Sequence, residues 1–165
     1  MLSAETASGN FPVFAVKAMT SIITHIEQNA DVYHNLYKIP EEDATFLSNN
    51  LILMASRLSR NVRAKAIVGI TSSGFTGFRI ASHRPLANIF VFTRNMPLLT
   101  QLSLVWGVRA YYYESNVSTD ATFKDIESQL KADGHVTVGD VIVNTASMPL
   151  KKKGKTNMLK VHLVS

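Results

Sequence analysis

From Asn10 onward, apolar residues recur three and four apart at Val16, Met19, Ile23 and Ile26, which gathers them on one face of a 3.6-residue repeat and predicts a helix. Asn10 supplies an N-cap, and Pro12 falls in the first turn, where a missing N–H costs nothing. Pro40 followed by Glu41, Glu42 and Asp43 predicts the start of a second helix, because negative charge suits a first turn. Its expected core face is Leu47, Leu51, Met54, Ala55, Leu58 and Val62, with Arg57, Arg60 and Arg63 on the solvent side.

The period then changes. Residues 66–70 form a short apolar run, followed by a Ser/Gly turn, a short helix to about His83, and Arg84-Pro85 as a stop. Residues 88–93 repeat the strand, 96–105 the helix, closed by Gly107. A third strand is expected at 108–113, a third crossover helix at 121–132 with Gly134 at its C-terminal end, and a fourth strand at 140–145. The last alternation, 158–164, follows a connection too short for a crossover helix, so it should pair antiparallel. The expected fold is α/β in three layers: a mostly parallel five-stranded sheet with helices on both faces and the last strand antiparallel.

Composition narrows the chemistry. With 165 residues, 46% hydrophobic and 18% charged, the chain has the size and core of about one domain and lacks the signature of disorder. The absence of cysteine excludes disulfides, thiolate catalysis and cysteine-ligated metals. No run approaches the ~18 apolar residues of a membrane span, and the first thirty residues lack a signal-peptide pattern, so a cytoplasmic location with no membrane partner is expected. A net charge of +5 suits anionic partners. The arginines at 57, 60 and 63 have no stacking aromatics between them, so no nucleic-acid partner is expected.

In open α/β sheets, ligands bind beyond the carboxyl ends of the strands. There, Thr71, Ser72, Ser73, Gly74 and Thr76 place hydroxyls and backbone N–H groups at a helix N-terminus, with a glycine that permits close approach. This is the physical recipe for cradling a phosphate, and equally for a turn that merely caps its helix. Lys151, Lys152, Lys153 and Lys155, in the hairpin before the last strand, would attract a phosphate or form a solvated loop; strand order permitting, they share an edge with the turn. The five histidines show no metal-ligand spacing, are expected at the surface or at helix ends, and no metal site is assigned.

The succession of motifs resembles the C-terminal third of pyruvate kinase. The opening M-L-S-A-E-T-A-S-G-N-F-P is similar to the family's last barrel loop and helix. T-S-S-G-F-T at 71–76 with S-H-R-P at 82–85, T-R-N at 93–95, Trp106-Gly107, V-G-D-V-I-V at 138–143 and Thr156-Asn157 follow in the family's order. The resemblance implies that residues 1–29 are the end of the catalytic barrel and 30–165 a regulatory α/β domain that binds a sugar phosphate or nucleoside monophosphate and builds a homo-oligomer. It further implies a parent enzyme that transfers a phosphoryl group from phosphoenolpyruvate to ADP using Mg²⁺ and K⁺. The chain itself would hold no cofactor and be inactive, with Ser3 close to substrate only in the full-length enzyme. Two departures bear on the effector. The Trp and Arg common in members activated by fructose 1,6-bisphosphate are missing from 115–123, and the hairpin loop is rich in lysine where the family's is rich in glycine. A free-standing phosphate-binding α/β module is the alternative, against which the barrel-like opening speaks.

Overall fold

The structure, a computed structural model, describes residues 2–29, 31–37, 39–114, 118–149 and 155–165. It divides into two compact units, Met1–Tyr33 and His34–Ser165. In the first, α1 (Ala4–Ala7) leads to α2 (Pro12–Asn29). The amides of Ser8 and Gly9 both return to the Ala4 carbonyl, at 2.9 and 2.8 Å, so α1 closes on itself before α2 begins.

The second unit is built on a five-stranded sheet in the order β3-β2-β1-β4-β5. The strands are β1 (Ala66–Ile70), β2 (Asn88–Thr93), β3 (Val108–Tyr112), β4 (Val141–Ala146) and β5 (Met158–Leu163). The first four run parallel, with Val68 beside Phe90 on one side and Asn144 on the other. As the short final connection requires, β5 reverses, pairing Ala146 with Met158 and Val141 with Leu163.

Helices α3 (Phe46–Asn61), α4 (Phe75–Ser82), α5 (Met96–Leu102) and α6 (Thr119–Ala132) complete the unit. Because side chains alternate along each strand, the sheet carries two separate cores. On one face Ile67, Ile89, Val91 and Val143 pack with Ile52 of α3, Ile80 of α4 and Leu102 of α5. On the other, Val68, Phe90, Phe92 and Ile142 pack with Ile126 and Leu130 of α6. The expected three-layer α/β architecture is therefore present, with strand ends within one residue of their expected positions.

Two local expectations are corrected and a third is sharpened. First, α3 begins at Phe46, so Glu41, Glu42 and Asp43 precede its first turn. Asp43 nonetheless caps the region: its carboxylate accepts from the Thr45 amide at 2.7 Å, the Thr45 hydroxyl at 2.6 Å and Asn49 Nδ2 at 2.8 Å. The Thr45 hydroxyl and amide hold it below the ordinary carboxylate range. Second, α3 buries only part of its expected stripe. Ala55 is buried and Leu51 and Leu58 are half-buried, but Leu47 is 82% exposed, Met54 41% and Val62 36%, and Ser48, Asn49, Ile52, Leu53, Ser56 and Ser59 are buried instead. Small side chains let the helix lie close on its neighbours, and Ser59 satisfies its hydroxyl on the Ser56 carbonyl at 2.8 Å. Third, His83 stands at the C-terminal end of α4 as expected of a helix-end histidine, yet it is buried, at 1% exposure.

Candidate functional site

The turn that follows β1 is fixed from three directions. The Thr71 amide donates to the Phe92 carbonyl at 3.1 Å, continuing the β1–β2 ladder one residue past the strand. The Thr71 hydroxyl accepts from the Gly74 amide at 3.1 Å, and the Ser73 hydroxyl from the Phe75 amide at 3.4 Å. From the neighbouring β2–α5 loop, Asn95 Nδ2 donates to the Ser72 carbonyl at 3.3 Å. Gly74 occupies the N-cap of α4 at φ +83°, a left-handed conformation that side chains disfavour. A Cβ there would also come within 2.6 Å of Leu98 Cδ1 and 2.9 Å of Phe78 Cε2. The glycine is thus required by the turn and by the packing of α5, whatever the turn binds.

Ser72 and Ser73 are exposed at the mouth of this turn, directly before the first-turn amides of α4, which have no helical acceptors of their own. Thr76 is different. Its hydroxyl is buried and lies 2.7 Å from that of Thr156, across 80 residues of sequence. This contact sets the end of the β4–β5 connection against α4, and the parallel pairing of β1 and β4 puts the turn and the described ends of that connection at the same end of the sheet.

The stem of that hairpin is held by Asn157, which accepts from the Met148 amide at 2.7 Å and donates to the Met148 carbonyl at 2.8 Å. Beside it, the Lys155 ammonium donates to the carbonyl of Ala44, just before α3. Lys151, Lys152 and Lys153 lie outside the described residues.

Two contributors, Asn95 and Thr156, had no role assigned from sequence, although both stand in the short motifs noted above. Nothing in a linear pattern distinguishes a threonine that braces a loop from one that lines a site. In the first unit, Ser3 is the N-cap position of α1, exposed, with its carbonyl accepting from the amides of Thr6 and Ala7 at 3.2 and 3.1 Å. Its own amide donates to Glu5 at 2.9 Å, and Glu5 is held below its ordinary range by backbone N–H groups, its own first and that of Ser3 second. Among the described residues, no three His, Asp or Glu side chains converge to hold a metal ion. No described helix is long and apolar enough to cross a membrane.

Residues 49–162 match the family model of the pyruvate kinase alpha/beta domain. Over 164 residues the chain is 36% identical to pyruvate kinase of Staphylococcus epidermidis and 37% identical to that of Staphylococcus aureus (strain bovine RF122 / ET3-1), in each case 99% of this chain and 28% of the relative. The crystal structure of Cryptosporidium parvum pyruvate kinase superposes with a TM-score of 0.80 at 25% identity, covering all of this chain and 32% of the other. The chain therefore spans under a third of the length of the relatives it matches.

Proposed function

Since the chain belongs to the pyruvate kinase family, with residues 49–162 corresponding to its alpha/beta domain, we propose that it is the regulatory and assembly part of an enzyme that transfers a phosphoryl group from phosphoenolpyruvate to ADP. The observation that carries this reading is the match of nearly the whole chain to 28% of the length of each of two pyruvate kinases, together with the structural agreement over its full length. Residues 1–29 read as the end of the catalytic barrel, where Ser3 would stand near substrate in the full-length enzyme. Mg²⁺ and K⁺ belong to the parent's chemistry. Among the described residues no three His, Asp or Glu side chains converge, and no step through a metal is assigned to this chain. A glycolytic enzyme of this kind works in the cytoplasm, with no membrane or nucleic-acid partner.

The turn at 71–76 is the proposed effector site for a sugar phosphate or nucleoside monophosphate. Exposed Ser72 and Ser73 can donate to phosphate oxygens, and the N-terminus of α4 adds a positive field. Lys151, Lys152, Lys153 and Lys155 supply attraction that salt screens; Thr76 contributes its backbone and braces the hairpin through Thr156. For assembly, two surfaces support a homo-oligomer: the exposed Leu47, Met54 and Val62 of α3, and the unpaired outer edge of β5. The effector reading is tested by titrating the chain with fructose 1,6-bisphosphate, glucose 6-phosphate and AMP by calorimetry, beside a Ser73→Asp variant. This exposed substitution places a negative charge in the turn and spares the fold. Saturable binding of one ligand at millimolar concentration or below, lost in Ser73→Asp, is expected. No saturable signal from any of them, or binding unchanged by the aspartate, reduces the turn to a helix cap.

A further inference from the structure

The segment that opens the second unit is tied to the end of α4 by hydrogen bonds in both directions. The amides of His34 and Asn35 donate to the carbonyls of Arg84 and His83 at 2.8 and 2.9 Å. In return, His83 Nδ1 lies 3.1 Å from the Asn35 carbonyl, which can only accept, so the ring proton sits on Nδ1. His34 at φ 59° and Arg84 at φ 44° are both held in the left-handed region, which non-glycine residues leave when nothing restrains them. Tyr37 covers the His83 ring with centroids 4.8 Å apart, its hydroxyl 3.3 Å from Ser82 Oγ and accepting from Arg79 Nη1 at 3.4 Å. Two residues further on, Ile39 enters the core.

His83 has no role in the proposed effector site, yet it is among the largest fully buried side chains of the unit. The charges that act on it directly are the guanidinium groups of Arg79 on α4 and Arg57 on α3; Arg84 follows it in the chain, His34 and Tyr37 are the titratable groups on the segment itself, and the Asp43 carboxylate before α3 acts on Arg79. Among the described residues no carboxylate accepts a hydrogen bond from the ring, and protonation would put a positive charge into a buried site beside two guanidinium groups.

We propose that His83 is an acid-operated latch on the segment that opens the second unit: the neutral ring holds residues 34–37 against the end of α4, and the imidazolium releases them. Burial is the first cause that pushes this histidine below its ordinary value, with Arg79 and Arg57 adding to it and the Asn35 carbonyl opposing. The sign follows. A histidine whose folded pKa is depressed contributes stability that is complete above the ordinary value of about 6.5 and is lost as the pH falls below it, by up to about tenfold in the closing equilibrium per pH unit for one proton. Release also frees His34 and Arg84 from their left-handed dihedrals, which favours the open segment.

Hydrogen exchange of the His34 and Asn35 amides in the full chain, from pH 7.5 to 5.5 and corrected for intrinsic exchange, reads the latch directly. Protection at these two amides should fall by about tenfold per pH unit in the acid range, while β1 and β2 amides hold theirs. His83→Asn, whose amide can replace the Nδ1 donor and cannot titrate, should make that protection independent of pH. As a measurement that needs no variant, the His83 ring resonances should report the Nδ1–H tautomer and a titration below 6.5. Protection that is flat across the range, a pH dependence that survives in His83→Asn and so belongs to His34 or another group, or a ring that titrates at or above its ordinary value would each overturn the proposal.

Discussion

Gly74 and Gly134 are both left-handed, at φ +83° and +72°, but their surroundings differ. A Cβ on Gly134 meets nothing within 4 Å, whereas on Gly74 it meets Leu98 Cδ1 at 2.6 Å and Phe78 Cε2 at 2.9 Å. Alanine at 134 therefore measures conformational cost alone, about 1 kcal/mol. Alanine at 74 adds the displacement of Leu98, which is 2% exposed and cannot swing into solvent, and overpacking of a closed core costs about 1 to 3 kcal/mol. The expected loss for Gly74→Ala is about 2 to 4 kcal/mol, a fall in urea midpoint of about 1 to 2 M if m is near 2 kcal/mol/M. Urea melts followed by far-ultraviolet circular dichroism on the two variants supply the comparison, and Gly74→Ala in a Leu98→Ala background should recover the packing part as a coupling energy. Equal losses at 74 and 134, or no coupling to Leu98, would refute the reading that this glycine is held by the packing of α5 as well as by its dihedral.

Thr76→Val and Thr156→Val should each cost about 1 to 2 kcal/mol by leaving a buried hydroxyl without its partner, and the double substitution should cost less than the sum, as a thermal double-mutant cycle would show. Glu127 accepts from His162 Nε2 at 2.8 Å and from the Ser165 amide at 3.0 Å. Burial pulls its pKa upward, but the Ser165 amide and hydroxyl and His162 outweigh it and leave the carboxyl below its ordinary range. Its contribution is thus complete above a pH of about 4.3 and lost as pH falls through its depressed value; Glu127→Gln should flatten that acid limb of the stability curve. Replacing both Leu47 and Met54 with glutamate should leave the circular dichroism spectrum unchanged and shift sedimentation velocity toward monomer, because both side chains are exposed on α3.

The sheet was readable from sequence because its strands are short apolar runs punctuated by glycine, serine and proline, and a strand buried on both faces leaves few alternatives. The same logic failed on α3, where apolarity and burial part company. Its inner face is Ser48, Asn49, Ser56 and Ser59 around Ile52, Leu53 and Ala55, while Leu47 and Met54 stay on its outer face. A periodic pattern marks which residues share a face, and an exposed apolar surface scores like a core. At the candidate site, the turn was visible because hydroxyls and glycine are rare in such density. The divergent fates of Ser73, exposed, and Thr76, sealed against Thr156, depend on a residue 80 positions away and have no local signature. His83 was hidden for a related reason, since its burial comes from the segment around Tyr37 folding over it.

The reversal of β5 has an evolutionary consequence. Six paired positions, from Ala146–Met158 to Val141–Leu163, zip the hairpin stem, and Asn157 ties it off on Met148. Whatever sequence is spliced between that knot and Lys155 leaves the register of the sheet untouched, and loop closure grows by only about 0.6 kcal/mol for each doubling of length. A parallel strand would have needed a helix in the same place, whose length is fixed by the layer it must cover. The hairpin is thus a cassette: its contents can be exchanged, lengthened or recharged without disturbing the sheet, while the Thr156–Thr76 contact keeps its end against α4.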